Sequence, residues 1–63
     1  MTSSWIESVS HDGADTAVMT LRNGTSYEIS DISESTVNDW ENADSAGRYH
    51  NSQIRGTYDA VKR

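Results

Sequence analysis

Cysteine is missing from the 63 residues of this chain, which excludes disulfide staples and thiolate metal sites and leaves the redox compartment open. No apolar run approaches the roughly 20 residues that cross a bilayer, so no membrane role is expected. The opening residues, Met1-Thr2-Ser3-Ser4, have neither the basic segment nor the apolar stretch of a secretory leader. The simplest reading is a cytoplasmic protein, a single domain over residues 1–63, near the lower size limit for unaided folding. Large apolar side chains are scarce as well, fifteen beyond Met1, from Trp5 to Val61. So thin a set makes self-association or stabilisation by a protein partner an expectation. Positive charge is rare in the first 45 residues, where nine acids face only Arg22. Residues 46–63 reverse the balance, with Arg48, Arg55, Lys62 and Arg63 against Asp59. Behind the net charge of −5, then, lie an acidic part and a basic part. Either the two attract one another in the fold, or the C-terminal third is where an anionic partner would bind.

What is present is turn chemistry and alternation. Asp12-Gly13 and Asn23-Gly24 each sit between residues of strand character, which predicts a three-stranded antiparallel β-meander with strands within residues 5–11, 16–21 and 25–30. A two-residue turn at Asn23-Gly24 would put Ala17, Met19 and Leu21 on the face of Ser26, Glu28 and Ser30. A three-residue loop, Arg22-Asn23-Gly24, pairs Leu21 with Thr25, Met19 with Tyr27 and Ala17 with Ile29, gathering the apolar residues on one face. Burial favours this second register, with Gly24 at positive φ. In the first strand Ile6 and Val9 have opposite parity, so either the strand is bulged or one of them leaves the core. Asp31 or Ser33 is placed to cap one main helix carrying Val37 and Trp40, and Gly47 is placed to end it. Tyr49, Ile54, Tyr58 and Val61 come next at irregular spacing, which predicts a short helical turn or an irregular C-terminal tail. The fold class is α+β.

From Ser45 the chain reads Ser-Ala-Gly-Arg-Tyr-His-Asn-Ser-Gln-Ile-Arg-Gly-Thr-Tyr, ending at Tyr58. This stretch resembles the KTSC domain family, named for a C-terminal extension of some lysyl-tRNA synthetases and found also as short prokaryotic and bacteriophage proteins. Ser3-Ser4 with Ile6 resembles the family's N-terminal serine pair, and Leu21-Arg22-Asn23-Gly24 with Tyr27 its hairpin. His11, His50 and Leu21 stand where aromatic residues are usual, and no proline precedes the helix. The resemblance implies no agreed activity. The synthetase context hints at RNA, and the phage context at a virion or host-takeover role, hence at the host cytoplasm or the virion.

No constellation carries catalysis. Ser10, His11 and Asp12 have the letters of a hydrolase triad, but neighbours on a strand point to opposite faces. His11 and His50 lack metal-ligand spacing; neither a metal nor a cofactor is expected, and the protein is read as no enzyme. The one candidate interaction surface is Arg48, Tyr49, His50, Asn51, Arg55 and Tyr58, where cations and rings mix as on a single-stranded nucleic-acid site. Against it stands the plainer reading that Tyr49, Ile54 and Tyr58 are core and Arg55 pairs with a helix acid. The favoured function is a small non-enzymatic interaction module acting through a protein partner, with a single-stranded RNA or DNA binder as the alternative.

Overall fold

Alternating segments punctuated by tight turns build the first half of the chain into a sheet, and the helices come after it. The computed structural model describes residues 5–63; the Ser3-Ser4 pair lies outside the described residues. Strands β1 (Ile6–His11), β2 (Ala17–Leu21) and β3 (Ser26–Ile29) precede helix α1 (Glu34–Glu41). A short helix α2 (Ala46–Tyr49) then runs directly into a π-helical turn, His50–Ile54, and strand β4 (Ala60–Lys62) closes the order. All neighbours in the sheet, β1-β2-β3-β4, are antiparallel. The fold is α+β, and the sheet has four strands rather than the three expected. Of the short helical turn or irregular tail expected after α1, the helical turn forms, and the added strand β4 follows it. β4 has no side-chain signature because all three of its residues are exposed. It is held by backbone pairing to β3, extended by the Arg63 N–H donating to the Ser26 carbonyl at 2.9 Å.

Burial does set the β2–β3 register. Ala17 faces Ile29 and Met19 faces Tyr27, while the Leu21 N–H donates to the Thr25 carbonyl at 2.8 Å. The loop is Arg22-Asn23-Gly24, with Gly24 at φ 91° and its N–H returning to the Leu21 carbonyl at 3.0 Å. No atom would obstruct a Cβ there, so only backbone conformation penalises a side chain. Gly24→Ala is therefore expected to lower the unfolding free energy by about 1–2 kcal/mol in a urea titration; an unchanged midpoint would contradict the left-handed Gly24.

The parity conflict in β1 is resolved by a bulge between Ile6 and Ser8. The extra residue turns both Ile6 and Val9 inward and leaves Glu7 in solvent. Beyond β1, the Asp12 carboxylate accepts from the Ala14 N–H at 2.8 Å and the Thr16 N–H at 3.3 Å, which lowers its pKa below the ordinary value. The buried face carries Ile6, Val9, Ala17, Met19 and Ile29, closed over by Ile32, Val37, Trp40, Ala46 and Ile54. The other face, with Ser10, Val18, Thr20, Ser26 and Glu28, is largely polar, as one-sided antiparallel sheets are.

Helix α1 is capped by Ser33, whose hydroxyl accepts from the Thr36 N–H at 3.2 Å. Asp31 instead holds φ 59°, a left-handed conformation that Asp tolerates, and so directs Ile32 inward, where its N–H meets the Asp15 carbonyl at 2.9 Å. Gly47 does not end α1. The helix stops at Glu41, with the Asn42 amide donating to the Asn38 carbonyl at 2.9 Å, and Ser45 caps a new start through the Arg48 N–H at 3.2 Å. Gly47 lies inside α2, buried, because the Trp5 indole presses against it.

Candidate functional site

The π-helical turn decides which side chains face the sheet beyond α1. Residues five apart on an α-helix lie well round its circumference from one another. A π turn closes over five residues and brings them to one side. Here the Arg55 N–H reaches back to the His50 carbonyl at 2.7 Å, and His50 and Arg55 come to line the same cleft while Ile54 between them is buried. Gly56, at φ 84°, then reverses the chain so that Tyr58 and Ala60 form the far wall.

The cleft holds about 310 Å³. Its floor is the unroofed end of the core, Met19, Leu21 and Ile54. The rings of Trp5, Tyr27 and Tyr58 stand around it, with His50, Arg55 and Gly56 on one rim and Ala60 on the other. Trp5 meets His50 edge to face, ring centres 5.1 Å apart. No carboxylate among the described residues lines the cleft. Among those residues, too, the Arg55 guanidinium makes no ion pair or side-chain hydrogen bond, so the expected pairing of Arg55 with a helix acid is not formed.

Only half of the six-residue surface read from the sequence converges here: His50, Arg55 and Tyr58. Asn51 is exposed and contacts the cleft only through His50, their side chains 3.4 Å apart. Arg48 and Tyr49 border a separate hollow of about 220 Å³ with Asp44 and Ser52. Tyr49 is half-buried and stacks on Trp40 at 6.2 Å with an interplanar angle of 18°. Burial, with Asp39 and Tyr58 adding to it, pushes its phenol pKa up, consistent with a packing ring. Trp5 and Tyr58 are both half-buried against the core, and among the described residues the large exposed apolar side chain is Val61. Trp5, Met19, Leu21 and Tyr27 were missed as site residues because each reads as ordinary strand or core, and their convergence is tertiary.

The remaining cations are dispersed. Arg63 approaches Glu28 at 3.9 Å on the open face, which ties the basic end to the acidic part as the charge split allowed. A further hollow of about 340 Å³ beside β1 is walled by the exposed Glu7, Ser8, Glu41 and Asn42 over Val9, an ordinary solvated surface. His11 is occupied on both ring nitrogens. Nδ1 accepts from the Gly13 N–H at 3.0 Å, and Nε2 donates to the Ile32 carbonyl at 2.8 Å. This assigns the neutral Nε2–H tautomer, so its 3.9 Å approach to Asp12 is not an ion pair, and it has no lone pair left to act as base for Ser10. No cluster of three or more His, Asp or Glu suited to a metal occurs among the described residues, nor any helix long and apolar enough to cross a membrane.

A one-sided antiparallel sheet with a helical arm reaching over its end is a small α+β domain of one defined kind. The KTSC domain matches residues 2–58, and the chain belongs to that family. No curated protein matches it. The family stretch has a physical reading in this fold: Ser45 caps α2, Gly47 admits Trp5, Tyr49 stacks on Trp40, Ile54 fills the core, Gly56 takes the left-handed turn and Tyr58 walls the cleft.

Proposed function

We propose that this chain is a small non-enzymatic interaction module that acts through a protein partner, which it engages at the cleft beneath the π turn. The observation that carries this reading is the cleft itself: an apolar, ring-walled hollow of about 310 Å³ with the exposed Arg55 in its lining. Concave apolar sites with a few placed polar groups are where proteins bind other molecules. A core this thin also gains from a partner that covers its open end. A bacteriophage accessory or structural role, in the host cytoplasm or the virion, is part of the proposal and is supported by the occurrence of KTSC domains in short phage proteins. Single-stranded nucleic acid is the less favoured occupant, since Arg48 and Arg63 lie away from Arg55, Tyr49 is stacked inside, and a net charge of −5 opposes a polyanion.

Photo-crosslinking tests the reading. Lys62 pairs across the sheet with Tyr27, a residue of the cleft wall, so benzoylphenylalanine in its place reports on an occupant. In cells carrying the gene, irradiation is expected to give discrete protein adducts that survive nuclease and disappear when Ala60→Trp fills the cleft. Adducts that vanish with nuclease, or the absence of adducts, would overturn the proposal.

A further inference from the structure

The chemistry of the cleft walls narrows the range of groups the partner can present. Met19, Leu21 and Ile54 below and three rings around them offer no hydrogen-bonding demand at depth beyond the phenol and indole edges, so the inserted group is apolar. A volume of about 310 Å³, against roughly 30 Å³ for each water in the liquid, admits one aromatic or branched aliphatic side chain with some adjoining backbone. Gly56 brings no side chain to the rim and Ala60 only a methyl, so neither fills the space.

The rim adds a sign of charge. Arg55 is the one arginine or lysine among the described lining residues, no acid stands with it there, and its guanidinium has no ion-pair partner among the described residues. A planar guanidinium matches a carboxylate in a two-point fork, and such charge-assisted bonds are the stronger ones. Resting on the reading of the cleft as a partner site, we infer that the partner's C-terminal segment places a bulky apolar side chain in the cleft and its terminal carboxylate on Arg55.

The smallest probe with both features is N-acetyl-L-phenylalaninate. Added to the ¹⁵N-labelled protein, it is expected to shift the Trp5 indole signal and the amides of Gly56, Tyr58 and Ala60 in a saturable way. N-acetyl-L-phenylalanine carboxamide, which lacks the charge, should bind roughly tenfold more weakly. Arg55→Gln should bring the acid down to the level of the carboxamide. Ala60→Trp should abolish both while signal dispersion persists; if that variant does not fold, the exposed Arg55→Gln decides alone. Equal binding of acid and carboxamide, tighter binding of adenosine monophosphate than of the acid, or no shift at the cleft would each overturn the inference. Protein adducts from Lys62 together with equal binding of the two probes would sink the carboxylate and leave the partner site standing. Absence of adducts would remove the partner site itself.

Discussion

Replacing Trp40 with alanine is expected to leave the chain largely unfolded at room temperature. Trp40 is fully buried and is the largest side chain in the core. Its indole N–H donates to the Ala46 carbonyl at 2.9 Å, which ties α1 to the start of α2. Tyr49 stacks on it at 6.2 Å and His50 tilts against it at 5.9 Å, so α2 and the π turn dock largely through this one ring. Tryptophan-to-alanine changes in cores remove about 3–5 kcal/mol, and the Ala46 carbonyl would lose its buried partner besides. Stabilities of about 0.05–0.15 kcal/mol per residue put a chain of 63 residues at roughly 3–9 kcal/mol. The loss is thus comparable with the whole. Far-ultraviolet circular dichroism of Trp40→Ala should lack the cooperative melt of the parent, whereas Trp40→Phe, which keeps a ring, should melt cooperatively at a lower temperature. An alanine variant that melts near the parent temperature would show that the helices dock by other contacts.

The importance of Trp40 is legible in the sequence, because it is the only large residue on the stripe of α1. The β2–β3 register is legible for a related reason: a slip of one residue would put Ala17, Met19 and Leu21 on the polar face of β3, and burial overrides the usual preference for a two-residue turn at Asn-Gly. The second half is legible only in parts. Tyr49 and Ile54 are five apart, a spacing that breaks an α-helical pattern but suits a π turn, so the apparent irregularity is a different helix. Ser45 offers the same capping signal as Ser33, masked by Gly47 two residues later, which looks like a helix end. β4 depends on backbone bonds to β3 and carries no alternation to read. Of the site, His50, Arg55 and Tyr58 stand out as an exposed-looking basic and aromatic group. Their strand partners in the cleft could not be found, because Tyr27 and Leu21 are residues that any half-buried strand contains. Arg48 and Tyr49 belong to the same motif yet face elsewhere, because the π turn rotates His50, Arg55 and Tyr58 away from them.

Gly47→Ala is expected to destabilise the domain against the ordinary preference for alanine in a helix. That preference favours alanine by about 1 kcal/mol, and Gly47 sits within α2 without a left-handed φ. The opposing effect is steric. A Cβ on Gly47 would collide with the Trp5 indole nitrogen and crowd Cδ1 and Cε2 at 3.1 Å. The ring is too large to swing aside at little cost, since His50 stands against it at 5.1 Å, and the space left to it is the cleft it already lines. Overpacking of this kind removes about 1–3 kcal/mol, which outweighs propensity. Urea unfolding of four proteins separates the two effects: the parent, Gly47→Ala, Trp5→Val and the double variant. With Trp5 trimmed, Gly47→Ala should become neutral or stabilising, giving a coupling of roughly 1–3 kcal/mol between the sites. The displaced indole should also reduce binding of N-acetyl-L-phenylalaninate in the single variant while the protein remains folded. If Gly47→Ala is equally destabilising with and without Trp5, the close approach of helix and ring is not the reason glycine is required at this position.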